Sequence, residues 1–295
     1  MNPGSGFDGR SCARLQLYVR LTRVDRPIGT LLLLWPTLTA LWFAADGWPG
    51  WRLLAIFVAG TWLMRSAGCA LNDVADRKFD AHVKRTAQRV VATGEVKVPE
   101  ALAVAMVLAL LAATTLIWLN DAARLASLAA VALAIAYPFS KRYFDVPQAV
   151  LGIAFSFGIP MAFLAVQGRV PPLGWGWLAA NFFWVMAYDT QYAMVDRDDD
   201  LRLGVRSSAI AFGRADVAAV AVCYIIYLGC VAALARFEGA GAGFAAGWIV
   251  AAACAVHGVR LIRGREREAC FRAFLHNQWV GLALFAGTVA DFAMR

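Results

Sequence analysis

Two short segments carry most of the side chains able to do chemistry. One is Asn72-Asp73-Val74-Ala75-Asp76-Arg77-Lys78-Phe79-Asp80; the other is Asp189-Thr190-Gln191-Tyr192-Ala193-Met194-Val195-Asp196-Arg197-Asp198-Asp199-Asp200. If both are helical, steps of three and four place Asn72, Asp73, Asp76 and Asp80 on one face. The same steps place Asp189, Tyr192, Asp196 and either Asp199 or Asp200 on another. Like charges at that spacing repel, and a bound divalent cation removes the penalty. The donors are nearly all oxygen, with His82 the nearest imidazole and no thiolate cluster. Such a set suits magnesium (Mg2+), which bridges carboxylates to substrate phosphates. Two acidic helix ends facing each other would grip one diphosphate through shared metal. Asp76-Arg77 and Asp80 recur as Asp196-Arg197 and Asp200, which hints at two facing repeats. Reading both runs as solvated loop charge leaves their density and repetition unexplained.

Basic residues follow each motif. Lys84, Arg85 and Arg89 come after the first, Arg202 and Arg206 after the second, and Ser140-Lys141-Arg142-Tyr143 closes an apolar run. Positioned cations stabilise the charge that grows on a diphosphate leaving group. Arg23, Lys84, Arg89 and Arg142 are the basic candidates for that role.

The elements that must position these side chains are membrane helices. The hydrophobic set makes up 61% of the 295 residues, well above the share usual in soluble domains. Apolar runs of spanning length lie near 28–46, 52–72, 101–119, 122–139, 147–166, 173–193, 214–236, 241–261 and 272–292. The spacing predicts about nine helices, with residues 1–27 as an N-terminal segment and 28–295 as one transmembrane domain. Pro36 and Pro160 fall within spans and are expected to kink them. With the N-terminus in the cytoplasm, all Lys and Arg except Arg52, Arg124, Arg169, Arg236 and Arg295 face inside. Sixteen of the 20 carboxylates fall on that side too, which the positive-inside bias does not explain. The orientation also accounts for the net charge of +8 without any nucleic-acid partner. The six cysteines lie mostly in or beside apolar runs with no C-x-x-C pair, as expected for small buried hydrophobes.

The motifs then connect. Arg23-Val24-Asp25-Arg26-Pro27-Ile28-Gly29, Leu31 to Thr37, Asn72 to Thr86, Tyr137 to Tyr143, Pro147-Gln148 and Tyr188 to Asp200 together resemble the UbiA superfamily of membrane prenyltransferases. The run Tyr188 to Asp200 and the run Arg265 to Phe271 look like the branch that prenylates 4-hydroxybenzoate for ubiquinone biosynthesis. The resemblance implies an all-α polytopic bundle of nine helices around a central cavity in the inner membrane, with the active site on the cytoplasmic side. It implies Mg2+, with Asn72, Asp73, Asp76 and Asp80 matching the first family motif and Asp189, Tyr192, Asp196 and Asp200 the second. One departure is visible. Where the family reads Arg-Pro-Leu-Pro-Ser-Gly, this chain has Arg89-Val90-Val91-Ala92-Thr93-Gly94, without either proline.

The implied substrates are a polyprenyl diphosphate and 4-hydroxybenzoate, the tail lying in an apolar groove open to membrane lipid. Asp76, Asp189, Asp196 and Arg142 are the expected catalytic residues. Arg23, Lys84, Arg89, Lys141 and Tyr192 are the expected substrate contacts. Asn72, Asp73, Asp76, Asp80, Asp196 and Asp200 are the expected metal ligands. Asp189 is placed near the phenol, and Arg23 or Arg142 on the aromatic carboxylate. Rival readings are a relative using another acceptor and a transporter with an internal acidic site. A CDP-alcohol phosphotransferase would need an Asp-Gly-x-x-Ala-Arg run, which does not occur.

Overall fold

The structure is a computed structural model that describes residues 5–140 and 143–295. In chain order its α-helices are α1 (Ser5–Thr22), α2 (Ile28–Ala45), α3 (Trp51–Asp80), α4 (Val98–Thr115), α5 (Asp121–Ser140) and α6 (Gln148–Ser156). There follow α7 (Gly158–Gln167), α8 (Pro172–Leu203), α9 (Ser208–Phe212), α10 (Asp216–Phe237), α11 (Ala242–Leu261) and α12 (Arg267–Met294). No strand occurs among the described residues.

Glycine and proline set several boundaries. Gly168 and Gly204 end α7 and α8 in the left-handed conformation, and α8 begins on the Pro171-Pro172 pair. Among the described residues, seven stretches are long and apolar enough to cross a membrane: α2, α3, α4 with its continuation to Trp118, α5, Gln148–Gln167, Ser208–Phe237 and Ala242–Gly264. The other two expected spans correspond to α8 and α12, which have 32 and 28 residues. Their interiors are diluted by buried polar side chains, among them Asn181, Asp189, Gln191 and Asn277. Pro36 lies inside α2, as expected. The fifth run is instead broken at Phe157 into α6 and α7, so Pro160 sits in the first turn of α7, where a missing N–H costs little.

In chain order α3 to α7 make up one half of the bundle and α8 to α12 the other; α6 against α8 joins them, and α2 packs against members of both, notably α7 and α12. Polar side chains tie the second half together. The Asn277 amide donates to Gln191 Oε1 at 2.7 Å, while Trp184 Nε1 and the Tyr224 hydroxyl donate to Asn277 Oδ1 at 3.0 and 2.6 Å. Each of these groups is buried, so satisfying them together fixes the register of α8, α10 and α12. The seam between α11 and α12 depends on missing side chains. A Cβ at Gly247 would lie 2.4 Å from the Ala283 carbonyl oxygen and 2.8 Å from Gly287 Cα. Backbone cannot retreat as a flexible side chain would, so Gly247→Ala should cost about 1–3 kcal/mol by overpacking. The expected result is a lower thermal midpoint for the purified protein, with Gly229→Ala, which meets nothing within 4 Å, as the unaffected control.

Outward-facing side chains suit hydrocarbon. Met106, Leu110, Leu125, Leu128, Ile225 and Ile249 are all at least 60% exposed. Helix α4 packs on α3, and α5 packs on α3, α6 and α7, while α4 and α5 hardly touch each other.

Candidate active site

Both acidic motifs ride on the last turns of long helices. Helix α3 continues through Asp80, and the loop 81–97 folds back beside it; α8 continues past Asp200. The two ends flank the mouth of a cavity of about 1130 Å3. Asn72, Asp73, Asp189, Tyr192, Asp196 and Asp200 line it together with Arg23, Arg85 and Arg89. Of the alternatives on the second motif, Asp200 faces the cavity. Asp199 turns away and accepts from Arg267 at 3.0 Å and from the Lys84 backbone N–H at 3.3 Å.

Arginines balance the carboxylates. Arg23 Nη2 donates to both oxygens of Asp73, at 2.9 and 3.0 Å. Arg89 Nη1 reaches Asp80 Oδ2 at 2.8 Å and Asp73 Oδ1 at 3.1 Å. Arg85 crosses from the loop after α3 to α8. Its Nε lies 3.1 Å from both Asp196 oxygens, its Nη1 donates to the Tyr192 hydroxyl, and its guanidinium sits 4.2 Å from the Tyr192 ring centroid. Burial works against the charge on Arg85, but Tyr192 and Asp196 more than offset it and raise its pKa above the ordinary guanidinium value. Arg89 is raised as well, against burial, by Asp73 and Asp80. Asp73, Asp76 and Asp80 are all under 10% exposed, and carboxylates so buried require nearby positive charge.

The donor set fits a hard divalent cation in kind. Carboxylate oxygens and the Asn72 amide predominate around the mouth, and His82 is exposed and bonded to the Lys78 carbonyl at 3.0 Å. Among the described residues, no three Asp, Glu, His or Cys side chains form a ready-made metal-holding group. The guanidinium groups of Arg23, Arg85 and Arg89 interleave with the carboxylates instead. Asp76 lies behind the mouth, where its Oδ2 accepts from the Asn72 amide at 3.3 Å.

Other expected residues fall elsewhere. The Lys84 side chain is exposed and absent from the cavity lining, because the turn after α3 buries Val83 and directs its neighbour outward. Lys141 and Arg142 lie outside the described residues. Arg197 and Arg265 converge on the buried Asp216, at 3.2 and 2.7 Å, and so brace the ends of α8, α10 and α11.

Two groups missed by the sequence reading lie deeper in the same cavity. Arg65, two turns before Asn72 on α3, has a buried Nε without a hydrogen-bond partner and no ion-pair partner among the described residues. Its Nη1 lies 2.7 Å from Cys69 Sγ, and Gly29 makes room for it, since a Cβ there would be 2.6 Å from Arg65 Nη2. The Tyr188 hydroxyl is likewise buried without a partner. Orphaned polar atoms at such depth are costly, and a ligand in the cavity would supply the missing partners. A lone arginine inside the otherwise apolar second run was the available signal for Arg65. Further in, the walls turn apolar and small, with Gly60, Ala109, Ala112, Ala113, Ala130 and Ala134. A second hollow on the outside of α4 and α5 shares Ala113, Leu116 and Ser127 with the cavity.

The chain is similar to several known proteins. A 4-hydroxybenzoate octaprenyltransferase from Paraburkholderia phytofirmans is 57% identical over 281 residues, covering 95% of this chain and 98% of the relative. One from Herminiimonas arsenicoxydans is 57% identical over 283 residues, covering 96% and 99%. The apo structure of a UbiA homolog from Aeropyrum pernix K1 superposes with a TM-score of 0.80 at 25% identity, covering 90% of this chain and 98% of that one. A UbiA homolog from Archaeoglobus fulgidus, solved with GPP and Mg2+, shares the fold with a TM-score of 0.69 at 17% identity, covering 94% and 99%. Residues 33–283 match the model of the UbiA prenyltransferase family, and the chain, a multi-pass membrane protein, belongs to that family.

Proposed function

We propose that this chain transfers a polyprenyl group from its diphosphate to 4-hydroxybenzoate, at the ring carbon ortho to the hydroxyl, with the octaprenyl donor for which its relatives are named. The observation carrying this reading is that one cavity joins an Arg- and Asp-lined mouth, a deep cationic pocket at Arg65 and a small-residue apolar channel. Each of the three suits one part of the reacting pair. The diphosphate belongs at the mouth, within reach of Arg23, Arg85 and Arg89. The aromatic carboxylate belongs on Arg65, whose buried Nε has no hydrogen-bond partner. The tail runs toward the loose contact between α4 and α5 and leaves there into lipid.

Asn72, Asp73, Asp196 and Asp200, which line the cavity, would hold Mg2+, with Asp76 and Asp80 behind them on the end of α3. Bound there, the cation would neutralise the diphosphate and carry part of the leaving-group charge. The residues of the chain do the rest. Guanidinium groups draw charge onto the diphosphate as the allylic C1–O bond breaks and its electron pair departs with the leaving group. The electron-rich ring carbon then bonds to C1. Asp189, lining the cavity beside the orphaned Tyr188 hydroxyl, takes the proton that this carbon loses, restoring the aromatic ring. Arg142 remains a candidate diphosphate contact on its sequence position alone, as does Lys141. The distribution of lysine and arginine supports an inner-membrane location with the mouth facing the cytoplasm.

The test incubates membranes containing the full chain with labelled octaprenyl diphosphate and 4-hydroxybenzoate, with Mg2+ or with excess chelator. Prenylated acid and free diphosphate should form in equal amounts, with metal only. Product in chelator, or transfer to a different phenol in preference to 4-hydroxybenzoate, overturns the assignment.

A further inference from the structure

The N-terminal helix lies outside the span matched by the family model, yet it delivers a residue to the mouth. Helix α1 ends at Thr22, and Arg23 follows in the left-handed conformation, φ 58°, which turns its side chain onto Asp73. A non-glycine residue held there is strained and persists only where its surroundings enforce it. Those surroundings are specific. Leu21 is fully buried among Ala70, Val90, Val91, Val96 and Ala101, which belong to α3, the loop 81–97 and α4. At the polar edge, Glu100 in the first turn of α4 accepts from the Tyr18 hydroxyl at 2.6 Å through one oxygen and pairs with Arg14 through the other. Arg20 donates to Glu95 at 3.2 Å and to the Gln88 carbonyl at 2.8 Å, beside Arg89. Thus α1, the arginine-bearing loop and the start of α4 make one unit, and Arg23 and Arg89 reach Asp73 from it together.

We infer that Glu100 is a positioning residue for the prenyl diphosphate: by clamping Tyr18 and Arg14 it fixes α1 so that Arg23 meets the diphosphate. This rests on the reading of Arg23 as a diphosphate contact. Glu100 itself touches neither substrate, since it is absent from the cavity lining. Its effect therefore passes through Arg23.

Steady-state kinetics of the full chain in membranes test it, with donor and acceptor varied separately. Glu100→Ala should raise the donor KM about tenfold, the order expected for losing a charge-assisted hydrogen-bonded clamp, with kcat and acceptor KM within about twofold. Glu100→Gln, which keeps an acceptor for Tyr18, and Tyr18→Phe, which keeps the ion pair, should each raise it about threefold. Arg23→Ala should raise the donor KM at least as much as Glu100→Ala, and the double variant should be no worse than Arg23→Ala alone. An unchanged donor KM in Glu100→Ala beside a raised one in Arg23→Ala overturns the positioning role alone. Additive losses in the double variant, or equal loss across kcat and both KM values, also overturn it. An unchanged donor KM in Arg23→Ala overturns the underlying reading of Arg23, and the inference with it.

Discussion

Asp196→Ala should lower the rate of transfer by about 10³-fold at saturating substrates, in line with removing a principal electrostatic contact in a water-poor site. Asp196 accepts both arms of the Arg85 contact, and Arg85 is the one guanidinium described here that crosses from the loop after α3 to α8. Removing the carboxylate leaves the half-buried Arg85 beside Tyr192 without its counter-charge and deletes a proposed oxygen ligand from the second motif. Asp196→Asn keeps the shape and loses the charge, so it should be nearly as slow while folding normally. The check is single-turnover formation of prenylated acid with each variant, alongside its thermal midpoint. Activity within tenfold of the original in both would remove Asp196 from the reaction.

The second large effect falls on the acceptor. Arg65→Ala should raise the KM for 4-hydroxybenzoate about 10- to 100-fold, the range for losing a hydrogen bond to a charged group, and leave the donor KM unchanged. A neutral acceptor, 4-hydroxybenzamide, separates this from general damage. It should be a poor substrate for the original protein, and the gap between acid and amide should close in Arg65→Ala. A gap of undiminished size would mean that another residue holds the carboxylate. The geometry favours Arg65 because its Nε is buried in the cavity wall without a partner.

Much of this was legible in the residue order. Apolar run length located the long apolar helices, since backbone in hydrocarbon must be helical, though not the break between α6 and α7. Spacing by three and four located the cavity-facing side of the second motif, although it left Asp199 and Asp200 unresolved. Only the partners decide between those two: Asp199 is drawn off by Arg267 from α12, a contact between segments far apart in sequence. The choice of Lys84 over Arg85 failed for a related reason. Neighbouring residues in an irregular turn have no periodicity to say which faces inward, and burial of Val83 settles it. Positive-inside counting groups Arg65 with the loop arginines, although it sits well within α3. The role of α1 was invisible to hydropathy altogether, because it depends on Glu100 and on a left-handed Arg23.

The proposed transfer requires the ends of α3 and α8 to hold the same diphosphate. Its most direct test is Mg2+-dependent binding of an unreactive prenyl thiolodiphosphate to the intact protein and to Asp73→Ala and Asp196→Ala. Each single variant should bind at least about tenfold more weakly, although the two residues lie on different halves of the bundle. Binding of original strength in either variant would contradict it.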